Sequence, residues 1–114
     1  RTAFKRQIGA NQSIAFQLAQ SHADVEAVRH LTYHAAWLKD QGRPFKQEAA
    51  MAKLYATEAA VTATREATQI FGGYGFMDET PVARHYRDSK ILEIGEGTSE
   101  VQRMIIARGL GLPL

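Results

Sequence analysis

Two long stretches of helical periodicity, covering about residues 13–39 and 45–70, leave little choice of fold class. In the first, Ile14, Leu18, Ser21, Val25, Val28, Thr32 and Ala35 recur at steps of three and four, which lays one apolar to small-polar stripe along a helix. Asn11 or Ser13 can cap its start, and Gln41-Gly42 with Pro44 beyond stops it. The second carries Met51, Leu54, Val61 and Thr68 as inward positions. It also holds Ala49, Ala50, Ala52, Ala56, Ala59, Ala60, Ala63 and Ala67, which favour helix and let a neighbouring helix approach closely. Helices this long joined by a short turn pack antiparallel. The alanine-rich faces call for a further neighbour, from an upstream helix or another subunit.

The remaining segments add helices and no strand of weight. Residues 1–12 read as irregular, interrupted by Gly9 and Asn11. Phe71-Gly72-Gly73 ends the second helix, since glycine accepts the left-handed cap, and the apolar loop 74–78 is expected to lie against something. Thr80-Pro81 reads as N-cap and first position of a short helix to about Asp88, followed by Ile91-Leu92-Glu93-Ile94 as a buried connector or helix extension. Ser99-Glu100-Val101-Gln102 has capping-box spacing, with Val101, Met104, Ile105 and Ile106 inward and Arg108-Gly109 closing the last helix. The reading is an all-α antiparallel bundle, a single domain over residues 1–114.

At 114 residues such a domain is small for an enzyme that must enclose an organic cofactor, and it opens without Met, so it is expected to be part of a larger protein. A formal charge of +2 spread along the chain gives no electrostatic case for nucleic acid. No cysteine is present for disulfide, thiolate metal or thiol chemistry, and no apolar run reaches membrane-spanning length.

Gly95-Glu96-Gly97-Thr98-Ser99 is the stretch best suited to chemistry. A carboxylate between two glycines can be approached closely by a flat ligand, and the free amides of the following helix lie beside it. A glutamate that abstracts a proton from carbon works best in an apolar setting, which Ile91, Leu92, Ile94 and Phe76 could supply, whereas a helix N-terminus favours the ionised form. The plainer reading is a surface glutamate that helps to cap the last helix. His22, Glu26, His30 and His34 stand four apart on the first helix, yet each step advances around it, so all four cannot share one ion; they read as a polar edge with no metal site. Gly72-Gly73-Tyr74-Gly75 lacks the strand and lysine of a phosphate loop. Arg84, Arg87, Asp88 and Lys90 could grip an anionic ligand, with Arg87 and Asp88 reading rather as internal or interface ion pairs, and Tyr33 and Trp37 read as core or interface aromatics.

Several segments together resemble the C-terminal α-helical domain of the acyl-CoA dehydrogenase family. They are Arg1 with Phe4 and Gln12, EAAMAKLYATEAA at 48–60, QIFGGYGF at 69–76, PVARHYRDSKI at 81–91 and GEGTSEVQRMIIAR at 95–108. The resemblance covers nearly the full chain, in the family's order and at comparable spacing. It implies a four-helix bundle, here lacking most of its first helix, from a homo-oligomeric (dimeric or tetrameric) flavoenzyme that holds FAD between domains and across a subunit boundary. The family reaction takes the α-proton of an acyl-CoA thioester while the β-hydrogen leaves as hydride to flavin, giving a trans-2-enoyl-CoA. By alignment Glu96 is the base and Gly97 lets the substrate thioester lie close. Thr98, Ser99 and Glu100 meet FAD of the same subunit. Arg1, Gln12, Gln69, Ile70, Phe71, Gly72 and Gly73 reach FAD of a neighbour. An electron-transfer flavoprotein is the implied acceptor, an oxidase being a close relative within the superfamily. The implied place is the cytoplasm of a bacterium or the mitochondrial matrix of a eukaryote. Lys5, Gln7 and Gly95 depart from the usual glycine, proline and tyrosine. The alternative is a non-catalytic helical subunit or assembly domain of such a complex.

Overall fold

The computed structural model describes all 114 residues. Its four helices are α1 (Gln12–Asp40), α2 (Lys46–Phe71), α3 (Pro81–Leu92) and α4 (Ser99–Gly109). None is long and apolar enough to cross a membrane. The helical bundle agrees with the sequence reading, and three of the helices begin and end within a residue or two of expectation. The exception is α3, which absorbs Ile91 and Leu92 and so resolves the connector as a helix extension.

α2 is the central element, packed by α1, α3 and α4. Between its end residues Lys46 and Phe71, its exposed positions are Tyr55, Thr62, Arg65 and Gln69, spaced by three, four and seven and so on one side, while Ala50, Ala52 and Thr57 are buried. Small side chains are what allow neighbours to close on it. Gly109 of α4 lies so near that an added Cβ would meet Gln47 Oε1 at 2.3 Å, and buried Gly75 would meet the Thr68 carbonyl at 2.2 Å. Polar links fix the register: Thr64 Oγ1 bonds Ser89 Oγ at 3.0 Å, and Arg103 pairs with Glu58.

The stripe on α1 needs correction. Its least exposed positions are Ile14, Gln17, Ser21, Asp24, Val28, Leu31, Ala35 and Leu38, in three-four alternation, with Glu26 half-buried beside them. Leu18, Val25 and Thr32 were expected inward but stand exposed beside this seam. Ser21, inward as expected, reaches Glu66 of α2 at 3.4 Å. The expected stripe and the observed seam share every seventh residue and differ only in which flank turns inward, a choice made by the partner helix. Trp37 and Tyr33 are also exposed, Trp37 stacking on His34 under the Arg43 guanidinium.

The first residues also differ from expectation. Thr2–Ala3 and Arg6–Gln7 pair as a minimal antiparallel hairpin, β1 and β2, followed by a 3-10 turn at Ile8–Ala10. Phe4 and Lys5 make its turn at φ 53° and 64°, conformations that no glycine or asparagine announced.

Candidate functional site

The turn carrying Glu96 joins α3 to α4. The amides of Ile94 and Gly95 still reach the Ile91 carbonyl at 3.0 and 2.8 Å, so the end of α3 unwinds gradually. Glu96 then takes φ 55° and Gly97 φ 92°, and the chain reverses so that the Ser99 amide returns to the Glu93 carbonyl at 3.1 Å. A left-handed glutamate costs about 1–2 kcal/mol and must be held by its surroundings. Two donors do this. Lys53 Nζ of α2 donates to the Gly97 carbonyl at 2.6 Å, and Gln102 Nε2 donates to the same oxygen at 3.1 Å and to the Glu96 carbonyl at 3.4 Å. The Glu96 side chain is exposed and takes part in none of the ion pairs.

The cap of α4 lies one residue earlier than expected. Thr98 is the N-cap, its hydroxyl accepting from the Val101 amide at 3.4 Å, and Ser99 is the first helical residue. Gln102 serves the loop carbonyls and not a capping box. Ser99 is 7% exposed with an unpartnered Oγ. At the start of the helix the backbone amide of Glu100, and after it the Thr98 hydroxyl, favour the charged carboxylate of Glu100 and hold its carboxyl below the usual carboxylate range. Gly109 ends α4 without leaving helical geometry, and Gly111, at φ 82°, is the left-handed residue beyond it. The apolar enclosure expected around Glu96 is absent from this chain: Ile91, Leu92 and Ile94 are about half exposed and Phe76 is 86% exposed.

The second group of candidate residues lies at the other end of α2. Lys53, beside Gly97, and Phe71, beside Arg1, are eighteen residues apart, roughly 27 Å at about 1.5 Å per residue. There Arg1 Nη1 donates to the Phe71 carbonyl at 3.2 Å and lies over Gly72, whose φ of 64° and lack of a side chain admit it; a Cβ would stand 2.5 Å from Nη1. Arg1, Ile70 and Phe71 line a cleft of about 530 Å³ together with Ile8, Tyr74 and Thr80, and Gly73 borders a second hollow beside Arg1. Gln12 and Gln69 are exposed and line neither. Gln69 supplies the carbonyl that the Gly72 amide caps.

Lys53, Tyr74 and Thr80 were not singled out as site residues by the sequence. A signal existed for Lys53, a lone cation on the alanine-rich face between buried Ala52 and half-buried Leu54. Thr80 stands at the N-cap of α3 but donates instead to the carbonyls of Tyr74 and Met77, which ties the cleft wall to the helix start. No group of three or more His, Asp or Glu side chains is gathered as metal ligands. Glu26 pairs with Arg29, Arg87 with Asp88 and Lys90 with Glu93.

Fold and sites together define a helical domain whose candidate site residues gather in two groups toward opposite ends of one central helix, with neither group enclosed. Residues 1–111 match the family described as acyl-CoA dehydrogenase, C-terminal domain, and the chain belongs to that family. The short-chain specific mitochondrial acyl-CoA dehydrogenase of Bos taurus is 51% identical over 107 residues, 94% of this chain and 26% of the relative. The three-dimensional structure of butyryl-CoA dehydrogenase from Megasphaera elsdenii superposes with a TM-score of 0.94 at 49% identity, covering 96% of this chain and 29% of that one. A chain in the structure of the electron transferring flavoprotein of Acidaminococcus fermentans, described toward a mechanism of flavin-based electron bifurcation, gives 0.95 at 44% identity, with the same coverage. The relatives are oxidoreductases of bacterial and mitochondrial origin, and the chain spans 26–29% of their length.

Proposed function

We propose that this domain completes an FAD-dependent acyl-CoA dehydrogenase in which Glu96 is the base. The observation that carries the reading is the presentation of Glu96: a left-handed residue between glycines, its backbone carbonyl bonded and its carboxylate exposed at the start of α4. The carboxylate takes the α-proton of the acyl thioester, and the C–H electron pair left behind becomes the second bond between the α and β carbons. FAD, when bound, supplies the acceptor for the β-hydride. Gly97 leaves room for the thioester to lie against the base. Ile91, Leu92, Ile94 and Phe76 are surfaces for the acyl chain and the remaining protein to cover, and their covering excludes water from the carboxylate.

The residues at the Arg1 end fit a flat, anionic cofactor on their own chemistry. A guanidinium at the mouth answers phosphate, Ile8, Ile70, Phe71 and Tyr74 form a wall for a ring, and Gly72 lets the backbone come close. Arg1, Ile70, Phe71, Gly72 and Gly73 hold FAD of a neighbouring subunit, with Gln12 and Gln69 reaching it from outside the cleft. Thr98, Ser99 and Glu100 serve FAD of the same subunit. The separation of roughly 27 Å along α2 supports two different cofactors, and so a homo-oligomer. The acceptor is an electron-transfer flavoprotein, in bacterial cytoplasm or the mitochondrial matrix.

The test is Glu96→Gln in the complete flavoenzyme, mixed anaerobically with butyryl-CoA. The variant keeps bound flavin, and flavin reduction slows by roughly 10²–10⁴-fold, the range for loss of a general base. Reduction at the native rate overturns the assignment.

A further inference from the structure

We propose that Lys53 and Gln102 are a positioning pair that clamps the Gly97 carbonyl and thereby fixes the direction in which Glu96 is presented. The inference rests on the reading of Glu96 as base. Its geometry is independent of that reading.

One carbonyl oxygen receives donors from two helices, Lys53 Nζ of α2 at 2.6 Å and Gln102 Nε2 of α4 at 3.1 Å. Gln102 is 6% exposed, and its amide also reaches the Glu96 carbonyl at 3.4 Å, so one buried side chain holds the peptide planes on both sides of Gly97. Lys53 is half-buried, and none of the four ion pairs includes it. A partly desolvated ammonium normally takes a carboxylate partner, and here its partner is a loop carbonyl. The consequence falls on Glu96. At φ 55° it occupies a conformation that L-residues leave readily, and the next residue, at φ 92°, is a glycine, with no side chain of its own to restrict its backbone. Without the clamp, Glu96 and Gly97 could rotate together and swing the carboxylate away. With it, the carbonyl is pinned to the central helix and to α4 at once. Proton transfer from carbon tolerates little misplacement, since a shift near 1 Å costs up to about 10²-fold in rate. A residue that holds the turn therefore acts on kcat without touching substrate.

The experiment compares Lys53→Met and Gln102→Met in the complete flavoenzyme, each alone and combined with Glu96→Gln, using butyryl-CoA. Expected is retained flavin, a fall in kcat of roughly 10- to 100-fold and KM within about twofold of native. In the Glu96→Gln background the same substitutions cause no further loss, because groups acting through one base are not additive. An unchanged kcat, an equal loss in both backgrounds, or loss of flavin from both single variants overturns the proposal, the last by making the pair a folding determinant. Native activity in Glu96→Gln alone removes the base, and the inference with it.

Discussion

Gly75→Ala is the substitution whose cost the structure defines most directly. Gly75 is buried, and an added Cβ would stand 2.2 Å from the Thr68 carbonyl oxygen and 3.0 Å from Thr68 C and Cα. An ordinary carbon–oxygen contact is about 3.3 Å, so the turn must retreat by roughly 1 Å. All three opposing atoms are backbone of α2, so no side-chain rotation relieves the clash. Overpacking of this kind costs about 1–3 kcal/mol. In a large protein each kcal/mol lowers Tm by about 2–4 °C, giving a fall of roughly 2–12 °C. The retreating segment, residues 72–76, carries Tyr74 of the Arg1 cleft, so flavin retention should weaken with it. The assay is thermal unfolding of the complete flavoprotein followed by flavin fluorescence. The comparison is the native protein, and an unchanged midpoint would refute the packing argument.

Three further outcomes follow from particular residues. Glu100 has its carboxyl held below the usual value near 4.5, so its contribution to stability is fully present above that value and is lost as pH falls through the lower folded-state value. The stability difference between native protein and Glu100→Gln should therefore be flat near neutrality and shrink in acid; a pH-independent difference contradicts this. Gly95→Tyr adds a ring beside Glu96 and should shift the ratio of kcat/KM for branched or bulky against straight-chain acyl-CoAs toward the straight chain, whereas unchanged preference removes Gly95 from acyl selection. The 114-residue chain alone should not turn over acyl-CoA, since its apolar site residues lie exposed; turnover by the isolated chain contradicts the proposed sharing of the site.

The helices were legible because their punctuation was local. Gly42 before Pro44, the Gly72-Gly73 stop and Pro81 after Thr80 each mark an end with a backbone preference that needs no partner. The inward flank of α1 was not legible. Leu18, Val25 and Thr32 compete with Gln17, Asp24 and Leu31 for the same seam, and the winner depends on how α2 packs against α1, which the periodicity of α1 alone does not carry. The cap of α4 was ambiguous for a related reason: Thr98 and Ser99 can both cap, and Gln102 matches a capping box but is drawn to the loop by the Gly97 carbonyl. The hairpin of β1 and β2 carries no turn signature, because Phe4 and Lys5 hold left-handed geometry that sequence assigns to glycine or asparagine. For the site, the sequence offered Glu96 and its glycines and marked Lys53 only as a cation on the alanine-rich face, since its reach to Gly97 some forty residues on depends on how α2 packs against the turn.

The central claim is that Glu96 takes the α-proton. It is tested most directly by exchange of the substrate α-hydrogen with solvent deuterium, followed by NMR on the complete enzyme with its flavin reduced beforehand so that no hydride can leave. The account predicts exchange by the native enzyme, little in Glu96→Gln, and an intermediate rate in Glu96→Asp, whose shorter side chain retains the base but withdraws it by about one methylene. Exchange at the native rate in Glu96→Gln would contradict the account.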